Sequence, residues 1–148
     1  MSLKDRVQDD MKAAMRARAT ARLSALRLLI AAIKQREIDE RVELDDAGVV
    51  TIVEKLVKQR RDSATQYEAA NREDLASAER LEIDALSAYL PAALDEAELD
   101  ALIEAAIADS GAQGMADMGK AMGVLKPRMA GRADMAEVSR RVRARLGA

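Results

Sequence analysis

The chain of 148 residues contains no cysteine, histidine, tryptophan or phenylalanine. Without cysteine there are no disulfides, thiolate metal sites or thiol nucleophiles. Without histidine the chain lacks the commonest general base and a common metal ligand. The core must be built from Leu, Ile, Val, Met and Ala, and the abundance of Ala, Leu, Glu and Arg predicts an all-α fold. We predict no catalytic residue, no metal site and no cofactor.

Long apolar runs are also missing from the sequence. The longest, residues 28–33, has the sequence LLIAAI and is far too short to cross a bilayer. We therefore expect no membrane partner. The first ten residues, MSLKDRVQDD, hold no apolar signal core, and we expect a cytoplasmic location.

The charges are unevenly distributed along the chain. Residues 1–36 carry nine Lys/Arg and three Asp/Glu, residues 37–110 carry seven and twenty, and residues 111–148 carry eight and three. The two ends would attract a polyanion such as nucleic acid, and the acidic middle would repel it. Solvated helix faces would give the same counts without any partner.

Proline occurs only twice, and Pro91 marks the clearest boundary. A residue that precedes proline is pushed out of helical geometry, so Leu90 should be extended. The apolar spacing predicts four helices before this point and three after it. We therefore predict two domains, a four-helix domain at residues 1–90 and a small three-helix domain at residues 91–148.

Local signals mark the expected helix ends. We expect Gly111 to end the fifth helix in a left-handed conformation, and Pro127 to kink or end the sixth, at about residues 116–126. Polar residues that precede apolar periodic segments are the expected N-caps. They are Ser2 (in a box with Asp5), Thr20, Asp45 or Asp46, Asp95 (with Glu98) and Asp134 (with Glu137).

Five of the seven glycines lie in residues 111–134, interspersed with cations. Glycine inside a helix costs about 1 kcal/mol relative to alanine, so this usage indicates that the backbone is approached closely. Gly119 and Gly123 are four residues apart and would share a face. A packed neighbouring helix or a sugar-phosphate backbone would both use such a face. The predicted nucleic-acid-binding residues are Gly119, Lys120, Lys126, Arg128 and Arg132, with Arg140, Arg141, Arg143 and Arg145 as an extension.

A polar cluster is predicted on the third and fourth helices. Arg60 and Tyr67 lie on nearly one face, and we interpret them as a hydrogen-bonded lock onto the fourth helix through Glu79. A substrate-facing site is the alternative. Glu79 and Glu82 share a face and are interpreted as ion-pair partners rather than an acid/base pair. The predicted cluster comprises Arg60, Arg61, Ser63, Tyr67, Arg72 and Glu79.

Several motifs together resemble the YqeY family, whose C-terminal half is shared with the tail of GatB, the tRNA-binding subunit of a glutamine-dependent amidotransferase. The resemblance covers nearly the whole chain. It is carried by residues 11–15 (MKAAM), 26–29 (LRLL), 58–63 (KQRRDS), 89–91 (YLP), 117–120 (DMGK) and 131–134 (GRAD).

This resemblance implies an all-α protein whose C-terminal part contacts tRNA or a tRNA-handling complex, with no DNA partner expected. Since Tyr67 and Tyr89 are the only aromatic residues, any bound RNA should be structured rather than read by base stacking. Two alternatives remain open. The chain could be a component of amidotransferase (carbon–nitrogen ligase) activity, or a helical protein-interaction module whose glycine face accepts a partner helix.

Overall fold

The computed structural model of the chain describes residues 1–129 and 132–147. Within these residues the chain forms seven α-helices, one 3₁₀ turn at Met115–Asp117 and no strand, so the all-α prediction is confirmed. The helices are α1 (Leu3–Arg16), α2 (Thr20–Glu40), α3 (Asp46–Ala69), α4 (Glu73–Ser87), α5 (Glu96–Ser110), α6 (Met118–Met129) and α7 (Met135–Leu146). Contacts divide the chain into two compact units, Met1–Leu90 and Pro91–Ala148.

The unit Met1–Leu90 contains α1 to α4. Its core is made of aliphatic side chains and one tyrosine. The hydroxyl of Ser2 accepts the Asp5 amide and the Asp5 carboxylate accepts the Ser2 amide, which confirms the predicted capping box. Asp45 caps α3 by accepting the Gly48 amide. Helices α3 and α4 form a hairpin that turns at Asn71, which adopts a left-handed conformation with φ 58°. The buried core is made by Val7, Ala14, Ala25, Leu26, Leu29, Ile33, Val49, Ile52, Val53, Val57, Leu86 and Tyr89.

The unit Pro91–Ala148 has its own apolar core, contributed by α5, α6 and α7. Asp95 caps α5 by accepting the Glu98 amide, and Gly111 ends α5 with φ 70°, as predicted. The Glu98 carboxylate does not complete the expected box and lies 3.7 Å from Arg132. The buried side chains are Leu99, Ile103, Ala106, Ala121, Leu125, Met129, Val138, Val142 and Leu146. This core is built on every third or fourth residue of each helix, so each helix keeps an opposite face for solvent or a partner.

Other local predictions also differ from the structure. Thr20 is the first residue of α2 rather than its cap, and its hydroxyl lies 3.5 Å from the Arg18 carbonyl. Helix α6 does not end at Pro127 but continues to Met129. Proline removes one backbone donor, but Met129 is fully buried in the core, and this packing holds the last turn. Asp134 accepts the Ala136 amide, while Glu137 pairs with arginines of α7 instead of completing a box.

Candidate nucleic-acid interface

The outer face of α6 carries three of the predicted binding residues, Gly119, Lys120 and Lys126, together with Gly123. Gly119, Lys120, Gly123 and Lys126 are all exposed and lie opposite the core-facing residues of the same helix, such as Leu125. Apart from the adjoining residues and the backbone of α6 itself, a Cβ atom built on Gly119 or Gly123 would meet no described heavy atom within 4 Å. We call these four residues the α6 face. No described helix of this unit covers it, so the glycines do not serve close packing inside the unit.

The cations near the α6 face differ in how they are paired. Lys126 makes no ion pair with any described residue, and the Lys120 ammonium lies 3.8 Å from Asp117 with a side chain that is 69% exposed. Arg128, in contrast, forms an ion pair of 2.8 Å with Asp109 of α5. Lys120 and Lys126 are therefore the α6 cations with charge available to an external anion.

Arg132 is held by contacts inside the C-terminal unit. Its Nε donates to the carbonyl of Ala92 at 3.1 Å, and its guanidinium lies 3.7 Å from Glu98. The carbonyl of Arg132 accepts the amide of Leu94 at 2.9 Å. These bonds connect the turn before α7 to the segment before α5. Gly131, which precedes Arg132 in the family-like motif, lies outside the described residues.

The arginines of α7 are largely occupied by carboxylates. Arg141 pairs with Asp100 at 3.1 Å, Glu137 at 3.0 Å and Glu96 at 3.5 Å. Arg145 pairs with Glu104 at 2.7 Å and Asp100 at 3.5 Å.

The two remaining arginines of this helix are more exposed. Arg140 pairs with Glu137, and Arg143 is exposed with no ion pair to a described residue. The predicted extension of the binding surface along α7 is thus mostly neutralised by the acidic residues of α5.

The polar cluster of the N-terminal unit does not converge on one point. Arg60 Nε donates to Glu82 at 3.1 Å with both side chains mostly buried, so α3 and α4 are joined through Glu82 rather than Glu79. Arg72 pairs with its neighbour Asp74 at 3.1 Å. The other members of the predicted cluster make no side-chain hydrogen bond to any described residue. They are Arg61, Ser63, Tyr67 and Glu79. The arrangement is that of an interhelical ion pair.

A buried group that the sequence analysis did not identify lies at the end of the N-terminal unit. The hydroxyl of Tyr89 donates to Asp10 of α1 at 2.6 Å, and the Tyr89 side chain is 3% exposed. The Arg6 guanidinium lies 5.1 Å above the Tyr89 ring and donates to the Ala88 carbonyl at 3.2 Å. Burial, helped by the bond to Asp10, raises the pKa of Tyr89 to about 12.

This contact explains why a tyrosine stands before Leu90 and Pro91. It fixes the end of the N-terminal unit to α1. The two partners are 79 residues apart in sequence, so spacing offered no signal for it.

The acidic side chains of the described residues do not gather into a metal site, and the buried polar side-chain atoms are all paired. No group of three or more Asp or Glu side chains in residues 1–129 and 132–147 has a geometry that could hold a metal ion. Every buried side-chain nitrogen or oxygen in the described part has a hydrogen-bond partner. Among the helices that the structure describes, none is both long and apolar enough to span a bilayer.

Comparison with known proteins fixes the family. The family model described as Yqey-like protein matches residues 4–146. The chain belongs to the YqeY family. The YqeY-like match includes both compact units, so it covers the α6 face and the Tyr89 contact together.

Curated relatives of this YqeY-family chain carry the name "Altered inheritance of mitochondria protein 41, mitochondrial". The Lachancea thermotolerans protein is 37% identical over 101 residues, 66% of this chain and 54% of the relative. The Eremothecium gossypii protein is 39% identical over 58% of this chain and 48% of the relative. The Pyrenophora tritici-repentis protein is 29% identical over 97% of this chain and 80% of the relative. The chain thus spans about half the length of the first two relatives.

These names correct one prediction. The cytoplasm was the expected location by default. The relatives are named as mitochondrial proteins, which contradicts that expectation.

Proposed function

We propose that this YqeY-family chain binds structured RNA of the tRNA class through the α6 face, without catalysing a reaction by itself. The observation that carries the proposal is the open face of Gly119, Lys120, Gly123 and Lys126. Apart from the adjoining residues and the backbone of α6 itself, no described heavy atom lies within 4 Å of the position of either glycine's Cβ. Glycines permit close approach of a sugar-phosphate backbone, and lysines neutralise its phosphates. The resemblance to the GatB tail supports tRNA as the RNA class.

Arg128 and Arg132 have a supporting part in this proposal. Both are held in contacts inside the C-terminal unit, Arg128 with Asp109 and Arg132 with Ala92 and Glu98. These contacts hold Arg128 at the end of α6 and Arg132 before α7, and so support the position of the α6 face. We therefore assign direct phosphate contact first to Lys120 and Lys126.

A salt titration of RNA binding tests the proposal. Filter binding of an unfractionated tRNA pool should show log affinity falling linearly with log salt. Replacing both lysines, Lys120→Gln with Lys126→Gln, should reduce that slope by about two, because each lost phosphate contact reduces it by roughly one. The control Lys55→Gln with Lys58→Gln removes two exposed lysines of α3 that make no ion pair with a described residue. Absent or salt-independent tRNA binding would reject the proposal.

The open glycines also favour a second candidate, a partner helix that packs on the α6 face. Small residues four apart let two helices approach closely. Replacing Gly123 by Leu would block such packing without changing charge. A partner that survives nuclease treatment, is lost on Gly123→Leu and is insensitive to salt would support this candidate and contradict phosphate binding.

Amide transfer is less well supported by the geometry. An active site built from the polar cluster would need Arg60, Arg72 and Glu79 to face one pocket. Arg60 and Arg72 are instead held in separate ion pairs with Glu82 and Asp74. Glutamine turnover by the purified chain alone would overturn our preference for a binding role.

We further propose that the two compact units act as two domains, the four-helix Met1–Leu90 and the three-helix Pro91–Ala148. The division lies at Pro91, where no helix continues across the boundary. Limited proteolysis should cut first at residues 89–95. A first cut inside α3 or α6 would contradict this division.

A further inference from the structure

The cations of the N-terminal unit are concentrated in one segment of the sequence, residues 11–36. Residues 11–36 carry seven Lys/Arg and no Asp/Glu, whereas the rest of Met1–Leu90 carries nine and seventeen. The unit as a whole is close to neutral, so the positive charge is concentrated rather than general. In the structure these residues form the end of α1, the turn Ala17–Ala19 and most of α2.

Most of these seven cations are unpaired. Arg22 lies 3.9 Å from Asp10, and Arg36 lies 3.9 Å from Glu40. The other five make no ion pair with any residue that the structure describes, and all five are exposed. They are Lys12, Arg16, Arg18, Arg27 and Lys34, and we call them the corner cations. Cations without neighbouring carboxylates create a positive potential that attracts a polyanion.

The outer face of α2 adds hydroxyl donors to the corner cations. Thr20, Ser24, Arg27, Ala31 and Lys34 recur at spacings of four and three, so they share one face, and all are exposed. Thr20, Ser24 and Arg27 line a shallow groove of about 330 Å³ together with Leu23 and Leu28. Small side chains alternate with cations there, as they do on the α6 face.

The turn before α2 and the first turn of this helix also favour an anion. Arg18 adopts a left-handed backbone with φ 55°, a conformation that a non-glycine residue takes only at a cost. The first turn of α2 has no acidic residue and no side-chain cap. Its amides therefore add to the positive potential of the corner cations.

We propose that the corner cations, with Thr20 and Ser24, form a second surface for the phosphate backbone of the RNA bound by the α6 face. The inference rests on the proposed function and extends it to the N-terminal unit. Arginine and lysine side chains, hydroxyls and amides at a helix start are the groups that bind phosphate oxygens without reading base sequence. Firm binding to an anionic membrane would be helped by a broad apolar face beside the cations. The exposed large apolar side chains within residues 11–36 are Met15 and Leu28.

The test adds one variant to the tRNA titration. Arg16→Gln with Arg27→Gln should reduce the slope of log affinity against log salt by about two, and affinity should fall roughly tenfold or more at low salt. The Lys55→Gln with Lys58→Gln variant removes the same charge from α3 and should leave the slope unchanged. Both positions of the test variant are exposed, and a circular dichroism melt checks that it remains folded.

The outcomes separate this inference from the proposed function. If the Lys120→Gln with Lys126→Gln variant loses tRNA affinity and the Arg16→Gln with Arg27→Gln variant does not, the α6 face stands and the corner surface is rejected. If only the corner variant loses affinity, the corner surface stands and the α6 face is rejected. If the corner variant and the α3 variant lose the same tRNA affinity, the loss reflects only the change in net charge. That result would overturn the inference.

Binding to vesicles tests whether the corner cations bind an anionic lipid surface instead of RNA. Vesicles of phosphatidylglycerol should bind the chain weakly, with no difference between the wild type and the Arg16→Gln with Arg27→Gln variant. Vesicle binding that this variant abolishes, together with an unchanged tRNA slope, would assign the corner to an anionic lipid and overturn the inference.

Discussion

Helices α6 and α7 of the C-terminal unit both carry several cations, but they use them differently. On α7, Arg141 and Arg145 bridge to Glu96, Asp100 and Glu104 of α5. On α6, Lys120 and Lys126 are exposed on a face that none of the described helices of this unit covers. A cation therefore indicates a binding surface only when the carboxylates of neighbouring helices have been considered.

The charge totals lead to the same conclusion. Residues 111–148 carry an excess of five positive charges in sequence, but the whole unit Pro91–Ala148 has eight Lys/Arg and nine Asp/Glu. Packing α5 beside α6 and α7 brings its acids to the arginines. The cationic surface shrinks to the α6 face and Arg143.

The largest expected effect concerns the inner face of α6. Met129→Ala should lower the free energy of unfolding by about 3 kcal/mol, because Met129 is fully buried and its core anchors the turn that contains Pro127. Lys126→Gln on the outer face should change it by less than about 0.5 kcal/mol. Urea denaturation of the two variants measures both. Equal losses would mean that the two faces of α6 are not distinct.

The N-terminal unit shows the same contrast between side chains that bond within the unit and side chains that are exposed and unpaired among the described residues. Tyr89→Phe should cost about 2 kcal/mol, because it removes a buried bond to the Asp10 carboxylate. Substitutions of the corner cations should have little effect on stability. Chemical denaturation of the Tyr89→Phe and Arg16→Gln with Arg27→Gln variants at neutral pH tests both expectations.

The same tyrosine predicts a pH dependence. The pKa of Tyr89 is raised to about 12 in the folded chain against an ordinary value of 10.0. The neutral hydroxyl is thus favoured by folding, so its contribution is complete below pH 10 and is lost as pH rises towards 12. The loss should reach up to about 1.4 kcal/mol per pH unit. Tyr89→Phe should lack this part of the decline, and identical alkaline profiles would contradict the assignment.

A smaller effect is expected within α7 itself. Arg141→Gln should cost about 1 kcal/mol, because three carboxylates lose a partly buried partner. Arg143→Gln, two residues along, should cost almost nothing, since Arg143 is exposed and pairs with no described residue. The difference should shrink at 1 M salt because screening weakens exposed pairs. Denaturation at low and high salt checks both statements.

Features that depend on nearby residues could be predicted from the sequence. The capping box at Ser2, the caps at Asp45 and Asp95, and the left-handed end at Gly111 each need only three or four neighbouring residues. The α6 face also followed from spacing, because Gly119 and Gly123 are four residues apart.

Long-range pairings could not be predicted in this way. Arg60 pairs with Glu82 instead of Glu79, and the choice depends on the register of α4 against α3. The partners of Arg128 and Arg141 lie on α5, and the partner of Tyr89 lies on α1. The helix through Pro127 was missed because burial of Met129 outweighs one lost hydrogen bond, and burial is set by the assembled core.

The smallest effect tests the glycines of the α6 face directly. Gly123→Ala should raise the free energy of unfolding by up to about 1 kcal/mol, because Gly123 lies inside a helix with open space beside it. The same change at Gly111 should lower it by about 1 kcal/mol, since φ there is 70° and alanine is strained. Thermal denaturation gives both signs.

If RNA approaches the backbone of α6, the more stable Gly123→Ala variant should bind tRNA less tightly while its salt slope stays unchanged, because no charge is lost. Gly111→Ala should bind as the wild type does wherever it remains folded. Unchanged affinity in Gly123→Ala would leave the lysines as contacts and remove close backbone approach from the mechanism. A gain in stability with a loss of binding at one glycine would show that the residue is kept for its surface rather than for the fold.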